Sequence, residues 1–304
     1  MKTERTMISL HNSSKLSYIG PNSDLFKSLE PVDCYDKFIE TILTNLKFNL
    51  ELDIKNLCLD ICSFKFSKKF FDEKIDEESD VTGVIIEKLR SLIVRNDSRI
   101  FFYIGKDYFL GSQIDSVRES TIILLKRLSE ILDLLGIIGP SILIRVGSAY
   151  GSRKDTMEFF CQNVLALDKK IRAKLCVMND EKPSLFSVTD LLSGVYYKSG
   201  IPICFRILPH SFNDGGLTFR EALFLSCSTW KEEHKPIFIH SESKEIDFNG
   251  MPVSPRPSDF LRNRIPTFGL NVDIIVDSTE REDTVLKYKM IHKSLPPMII
   301  NKIS

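Results

Sequence analysis

Leu175-Cys-Val-Met-Asn-Asp180 is an apolar run that ends in two polar residues, and it opens the stretch of sequence that best indicates the fold. Ser187-Val-Thr-Asp190 follows and resembles a helix-capping box, after which apolar residues recur three and four positions apart. Gly200-Ile-Pro202 is typical of a helix end, and Ile203–Leu208 is a second apolar run. This segment therefore predicts one strand–helix–strand unit.

The same alternation of apolar runs and amphipathic stretches continues along the rest of the chain. Two amphipathic stretches have apolar stripes from Val81 to Ile93 and from Ile114 to Leu135, and Thr218-Phe-Arg-Glu221 is a capping box. About eight strand–helix units predict the α/β class and a (β/α)8 TIM barrel, with residues 1–304 as a single domain. An open doubly wound sheet is the alternative, but no Gly-x-Gly-x-x-Gly follows the first run. The predicted strands are Met7–Leu10, Leu57–Cys62, Ile100–Tyr103, Ile142–Val146, Leu175–Met178, Ile203–Leu208, Ile237–His240 and Asp273–Asp277.

Charge and hydropathy exclude several classes of function. Lys and Arg total 41 and Asp and Glu total 41, so no net positive field covers the protein, and a polyanion must bind to a local patch. No apolar run reaches the ~18–20 residues of a membrane-spanning helix, and the first residues lack the apolar stretch of a signal peptide. The seven cysteines lie mostly in apolar segments, as in a reducing compartment. We expect an intracellular protein of the cytoplasm or nucleus, neither secreted nor membrane-spanning.

Functional residues of a parallel barrel lie at the C-terminal ends of its strands. Polar side chains at the predicted strand ends are Asp60 and Ser63, Tyr103 with Lys106 and Asp107, Arg145, Asn179 and Asp180, Arg206 with His210, His240, and Asp277. Cations and carboxylates are both frequent in this set. The sequence therefore predicts a charged site at the barrel mouth.

Several of these strand ends resemble segments of the UV damage endonucleases, which are metal-dependent (β/α)8 DNA-repair nucleases. Val177-Met-Asn-Asp-Glu181 is similar to the family's Leu-Glu-Asn-Asp-Asp, and Ile144-Arg-Val-Gly-Ser-Ala-Tyr-Gly151 is similar to its Ile-His-x-Gly-Gly-x-Tyr-Gly. The other similar segments, in the family's order, are Phe102-Tyr-Ile-Gly-Lys106, Gly200-Ile-Pro202 before Phe205-Arg-Ile207, Thr229-Trp230, His240-Ser241 and Pro257-Ser-Asp-Phe260. The resemblance spans nearly the whole chain and is weakest near the N-terminus.

Most positions that match the family's metal ligands carry other residues. They are Tyr103, Arg145, Pro209 and Pro257 in place of His, Met178 in place of Glu, and Arg206 in place of Asp. An arginine cannot give up a proton to become a ligand, and a divalent cation needs about four to six donors. We therefore expect no cofactor. If activity persists, the resemblance implies a divalent metal, Mn²⁺ or alternatively Mg²⁺ or Zn²⁺, on a reduced site with His240 and Asp277 as ligands.

The substituted positions also suggest a binding mode that needs no metal. Lys106, Arg145 and Arg206 place cations where the family binds metal ions, and charge-assisted hydrogen bonds from such groups hold phosphate. The competing interpretation is that nearby carboxylates, namely Asp180, Asp107 or Asp277, pair with the arginines and leave no anion site.

Rim residues add further candidates for contact with DNA. The glutamine–aromatic pair with which the family probes the damaged strand corresponds to Lys106-Asp107, and Tyr108 is the nearest aromatic replacement. Asp259 lies in the segment similar to the family's His-Ser-Asp-Tyr, among arginines. The basic–aromatic stretch from Phe64 to Phe71 could grip single strands, but an amphipathic element with inward aromatics is favoured.

Three hypotheses about function follow. The favoured one is a DNA-repair protein related to the UV damage endonucleases, catalytically impaired, that binds DNA or phosphate through a local basic rim. The second is an active metal-dependent endonuclease that nicks DNA 5′ to UV lesions with a rebuilt site, with Asn179, Asp180 and Asp277 as catalytic residues. The third is another barrel hydrolase or isomerase, which would need an enclosed apolar pocket. The sequence leaves the oligomeric state open.

Overall fold

Eight parallel strands form one sheet in the computed structural model of this chain, which describes residues 15–20, 32–72 and 80–292. The sheet has the order β1-β8-β7-β6-β5-β4-β3-β2, and a parallel bridge between Ile19 and Cys58 joins its two edges. The strands are β1 (Leu16–Tyr18), β2 (Leu57–Asp60), β3 (Ile100–Tyr103), β4 (Ile142–Ile144), β5 (Leu175–Met178), β6 (Ile203–Arg206), β7 (Ile237–His240) and β8 (Asp273–Val276). The predicted parallel barrel is confirmed.

The N-terminal strand differs from the prediction. Met7–Leu10 lies outside the described residues, and the strand that completes the barrel is β1, which pairs with Ile274–Val276 of β8. Its three residues form too short a run to stand out in the sequence. Strands β2 to β8 lie within the predicted runs, several of them shorter. For example, β2 ends early because the Asp60 carboxylate accepts the backbone N–H of Cys62 at 3.1 Å and begins a 3-10 turn.

Helices surround the strands, and both sequence-derived capping boxes are present. The Ser187 hydroxyl accepts the backbone N–H of Asp190 and the Thr218 hydroxyl accepts that of Glu221, both at 3.3 Å. Gly200 has a φ of 73°, a left-handed conformation that suits a glycine at a helix end. The helices are α1 (Tyr35–Glu51), α2 (Lys68–Asp72), α3 (Asp80–Asn96), α4 (Asp115–Leu134), α5 (Arg153–Ala166), α6 (Lys169–Arg172), α7 (Val188–Leu191), α8 (Tyr197–Ser199), α9 (Ile207–Phe212), α10 (Phe219–Ser228) and α11 (Arg281–His292), with a π-helical turn at Leu192–Tyr196 between α7 and α8.

Alternation along the strands separates two apolar layers and places the site. Phe102, Ile144 and Phe205 pack outward against helices, whereas their neighbours along the strands, such as Phe101 and Leu143, fill the barrel interior. Successive side chains of a strand point to opposite faces of the sheet, so residues two positions apart share a face. The interior face can therefore be followed from the buried strand residues to the strand tips. The tip residues on this face are Asp60, Tyr103, Arg145, Arg206 and Asp277, and we call them the mouth ring.

The basic–aromatic stretch before α3 packs its rings inward, as the favoured interpretation has it. Phe64 and Phe70 are buried and make edge contacts with Phe38 of α1, with ring centroids 5.5 and 5.7 Å apart. Phe66 packs against the same ring. These aromatics therefore stabilise the wall of the barrel.

In the part of the chain that the structure describes, no helix combines the length and the apolarity needed to cross a membrane.

Candidate functional site

The mouth ring brings cations and carboxylates together at the C-terminal end of the barrel. Tyr103 and Arg206 are each only 9% exposed, and Arg206 lies with its guanidinium carbon 6.0 Å from the centre of the Tyr103 ring. The charge of Asp60 opposes ionisation of Asp277 across the mouth. The site is therefore a partly desolvated polar cluster, in which charge interactions are stronger than at an open surface.

Arg145 is held by three groups at the mouth. Its Nη1 lies 3.2 Å from Oδ1 of Asp180 and 3.9 Å from Oε2 of Glu181, and its Nε donates to the carbonyl oxygen of Gly105 at 2.8 Å. Nη2 donates to the same carbonyl. The pairing of an arginine with Asp180, considered from the sequence as the competing interpretation, therefore exists in the structure.

Hydrogen bonds to its backbone hold Arg206 in place, whereas one side-chain donor has no hydrogen-bond acceptor among the described residues. Its N–H donates to Oδ1 of Asn179 at 2.8 Å, and Nδ2 of Asn179 donates back to its carbonyl at 3.0 Å. This fully buried amide ties the ends of β5 and β6 together. Nη1 of Arg206 donates weakly to the Asn179 carbonyl at 3.4 Å, while its Nε is buried without an acceptor among the described residues.

Burial raises the pKa of three carboxyl groups at the site, those of Asp60, Asp180 and Asp277. It raises the pKa of Asp180 to about 6, against the opposing effect of the Arg145 charge. The pKa values of Asp60 and Asp277 are also raised by burial, and Arg206 limits the rise at Asp277. One oxygen of Asp180, Oδ2, has no partner among the described atoms. Arg145 and Arg206 therefore act as counter-ions of Asp180, and Arg206 also acts as a counter-ion of Asp277.

His240 and Asp277, the proposed ligands of a reduced metal site, are neighbours in the sheet but do not converge. The backbone N–H of Asp277 donates to the His240 carbonyl at 2.9 Å. The His240 ring lies on the outer face of β7 with Phe238, at 5.6 Å in an edge contact, whereas Asp277 continues the interior face of β8. Burial lowers the pKa of His240 to about 4, and neither ring nitrogen has a partner among the described residues.

The donor set of the mouth does not fit the divalent metals that the resemblance implies. Within residues 15–20, 32–72 and 80–292, no three or more His, Cys, Asp or Glu side chains come together in a way that could hold a metal ion. The guanidinium groups of Arg145 and Arg206 stand among the carboxylates, and they can only donate hydrogen bonds. The arginine side chains therefore supply the positive charge that a metal ion would otherwise bring to these carboxylates.

The remaining predicted residues lie at the rim. Lys106 is exposed, and its carbonyl accepts a hydrogen bond from Sγ of Cys62 at 2.7 Å. Tyr108 is half-buried beside it. Asp259 is paired with Lys244 at 3.3 Å, with both side chains about half exposed. These residues surround the mouth without joining its hydrogen-bonded cluster.

One residue that supports the site was missed in the sequence. Asn213, which follows α9, donates through Nδ2 to the carbonyls of Asp180 at 3.2 Å and Lys182 at 3.0 Å. It thereby holds the loop that carries Asp180 against the end of β6. An asparagine more than thirty residues from its partner gives no local signal of this contact.

The sequence comparisons agree on one family. The family model described as UV-endonuclease UvdE matches residues 11–301. The "Putative UV-damage endonuclease" of Acanthamoeba polyphaga mimivirus is 25% identical over 303 residues, covering 91% of this chain and 90% of that protein. The UV DNA damage endonuclease of Bacillus cereus (strain G9842) is 25% identical over 224 residues, covering 72% and 70%.

The fold comparison supports the barrel architecture. The crystal structure of SacUVDE superposes with a TM-score of 0.73 at 24% identity, covering 92% of this chain and 98% of that one. The match of the family model over nearly the whole length confirms the resemblance seen at the strand ends. This chain belongs to the UV-endonuclease UvdE family.

Proposed function

We propose that this chain is a DNA-binding member of the family that holds a backbone phosphate at the barrel mouth with arginine side chains, and that metal-dependent incision is lost or severely weakened. The names of its relatives, UV-damage endonucleases, support DNA as the ligand. Residues 1–304 are proposed to act as a single domain inside the cell.

The observation that carries the proposal is the state of Arg206. Its side chain is desolvated on the interior face of the mouth ring, yet Nε finds no acceptor among the described residues. A buried donor without a partner costs about 1–3 kcal/mol, and a phosphate oxygen would supply a charge-assisted acceptor. Arginine suits this role because its planar donors match phosphate geometry.

Further rim groups extend the proposed anion surface. Lys106 is an exposed cation directly after β3, and Tyr108 offers an aromatic face close to it. Lys244 stands on the opposite rim segment, positioned by its ion pair with Asp259. Together with Arg145, these groups would contact the strand on either side of the bound phosphate.

An active endonuclease with a reduced metal site is the alternative. It would require Asp180, Asp277 and a histidine to move into one coordination shell, with Asn179 as a neighbouring polar group. The opposite faces of His240 and Asp277 and the ion pair of Asp180 with Arg145 weigh against this alternative.

The direct test combines binding with incision. Fluorescence anisotropy should detect binding of UV-irradiated duplex DNA in the presence of a chelator. The double variant Arg145→Gln/Arg206→Gln should bind about ten-fold more weakly, with a salt slope lower by about two, because each lost phosphate contact removes about one released counter-ion. Irradiated plasmid should remain intact with and without Mn²⁺.

A charge-matched control separates a local effect from a general one. Arg95→Gln/Arg172→Gln removes two cations near the ends of α3 and α6 and should leave the affinity unchanged. Equal affinity and salt slope in the mouth variant and the wild type would overturn the proposal. Incision that depends on Mn²⁺ would instead support the active endonuclease.

A further inference from the structure

A hairpin of residues 243–257 follows β7 and projects from the rim; we call it the rim hairpin. Antiparallel bridges join Ser243 to Pro257 and Ile246 to Pro252. Its two arms are linked by backbone hydrogen bonds, of which the N–H of Lys244 donates to Arg256 at 2.8 Å. The segment is therefore an ordered projection from the barrel.

The turn of the rim hairpin is preorganised by one carboxylate. Oδ1 of Asp247 accepts the backbone N–H groups of Asn249 at 2.9 Å and Met251 at 2.8 Å. The N–H of Gly250 donates to the Asp247 carbonyl at 3.0 Å, and the φ of Gly250 is 80°. Because the turn satisfies its own polar groups, its shape does not depend on a partner.

The tip carries apolar side chains that the protein leaves in water. Phe248 is 97% exposed, which is the highest value for a large apolar side chain among the described residues. Ile246, Met251 and Val253 are each about half exposed next to it. Clustered exposed apolar side chains on a rigid element indicate a contact surface.

The base of the rim hairpin is attached to the mouth. The N–H of Ser258 donates to the Glu242 carbonyl at 2.8 Å, and the N–H of Thr279 donates to the Ser258 carbonyl at 3.2 Å. Thr279 follows Asp277 of the mouth ring by two residues. The hairpin thus rises from the same rim where the proposed phosphate site opens.

We propose that the rim hairpin is a DNA wedge, which inserts Phe248 and its apolar neighbours between bases of the duplex held at the mouth. This inference rests on the proposed function. Apolar side chains such as Phe, Ile and Met open base steps in bent DNA, and an aromatic ring stacks on exposed bases. The ligand recognised is a duplex with a weakened or distorted base step, since such a step is the least costly to open.

The size of the tip argues for insertion over pairing with a second copy of the chain. A stable protein interface buries about 800 Å² on each partner, and four side chains at the end of a hairpin present much less. A narrow projection with one protruding ring fits a gap between stacked bases. Association of two copies is therefore an outcome that the experiment must distinguish.

The variant Phe248→Trp tests the inference directly. Trp230 is the only native tryptophan, and it is buried with its indole N–H donating to the Ile203 carbonyl at 2.8 Å. A tryptophan at the tip should be quenched when a duplex with a mismatched 2-aminopurine is added, and the 2-aminopurine emission should rise as its stacking is lost. Phe248→Ala should bind this duplex about ten-fold more weakly and lose the 2-aminopurine response.

The matched control is Met290→Trp. Met290 is 80% exposed on α11, beside Lys289, which pairs with Asp53 at the opposite end of the barrel. Its fluorescence should not change with DNA. Equal quenching at both positions, or none at the tip while DNA is bound, would overturn the wedge. So would a concentration-dependent spectral change at the tip without DNA, accompanied by dimers in sedimentation.

The two proposals fail in different ways. If the wedge alone is wrong, DNA still binds and the double arginine variant still lowers affinity and salt slope, while Phe248→Ala binds as the wild type does. If the wild type does not bind DNA, both proposals fall. A loss of the 2-aminopurine response in Phe248→Ala with an unchanged salt slope supports the wedge as a contribution separate from phosphate binding.

Discussion

Arg145 and Asp180 form an ion pair at the barrel mouth, with Nη1 and Oδ1 3.2 Å apart and the Asp180 side chain only 2% exposed. The pair matters for binding because the carboxylate competes with any external anion for the same guanidinium. Burial raises the pKa of Asp180 to about 6, so this competition can be removed by a modest fall in pH.

DNA affinity should increase as the pH falls through the pKa of Asp180. Protonation near pH 6 removes the Asp180 charge beside Arg145, so this carboxylate no longer competes with phosphate for the guanidinium. From about pH 7.5 to about pH 5.5 we expect a gain of about five-fold, or ~1 kcal/mol. Anisotropy titrations at constant ionic strength measure it.

The variant Asp180→Asn isolates that effect. It should bind at neutral pH as tightly as the wild type does at low pH, and its affinity should vary little with pH. Glu232→Gln, an exposed change in the loop before β7, should keep the pH dependence of the wild type. A wild-type affinity that falls on acidification would refute the assigned competition.

Excess Mn²⁺ should leave the melting temperature of the wild type unchanged, because the mouth presents cations where ligands are needed. The triple variant Tyr103→His/Arg145→His/Arg206→Asp places three donors near Asp60 and Asp277. It should gain about 2–3 kcal/mol of stability at Mn²⁺ roughly 100-fold above its dissociation constant. Calorimetry with and without chelator checks this.

A control for the metal prediction uses side chains that cannot bind Mn²⁺. Tyr103→Phe/Arg145→Leu/Arg206→Leu removes the same groups without adding an oxygen or nitrogen donor, and should show no response to the ion. If the wild type itself were stabilised by Mn²⁺, the description of the mouth as a site unsuited to metal would be incorrect.

Acid should weaken the fold through His240. Its pKa is about 4 in the folded protein and ~6.5 in the unfolded chain, so the unfolded state binds more protons between these values. The full contribution of neutral His240 to the free energy of unfolding is present above about pH 6.5, and this contribution is lost as the pH falls towards 4. Between pH 7 and pH 5 the loss is about 2 kcal/mol.

His240→Phe should remove that loss while filling the same space beside Phe238. Asp180 acts in the opposite direction, because a raised carboxyl pKa favours the folded state at lower pH, so the total pH dependence partly cancels. The free energy of unfolding in urea is therefore measured for the wild type and His240→Phe at pH 7 and at pH 5. The difference between their pH dependences isolates the contribution of His240. Identical pH dependence in variant and wild type would show that His240 does not have this role.

Asp273→Asn should destabilise the N-terminal end of the barrel. The buried Asp273 carboxylate lies 2.8 Å from Nη1 of Arg99 and 2.7 Å from Nζ of Lys235. Removing the shared anion leaves two partly buried cations together, which we expect to cost about 3 kcal/mol in urea unfolding. Glu233→Gln breaks only the exposed contact with Lys231 and should cost less than about 0.5 kcal/mol. Equal effects of the two changes would contradict this difference.

Most of the barrel could be predicted from local pattern. Apolar runs such as Leu175–Met178 and capping residues such as Ser187 and Thr218 act through neighbours within a few residues, so their sequence signals are direct. Strand β1 could not be predicted in this way, because its three residues are too few to show a strand's apolar pattern. Its partner, β8, lies at the other end of the chain.

The sequence by itself determined the barrel class, the family resemblance, and the replacement of metal ligands by residues such as Arg145 and Arg206. Only the tertiary structure decided how these side chains are used: Arg145 pairs with Asp180, while His240 and Asp277 point to opposite faces of neighbouring strands. The physical reason is that strand patterns arise from contacts within a few residues, whereas charge pairing depends on the burial and direction of groups that only the closed barrel brings together.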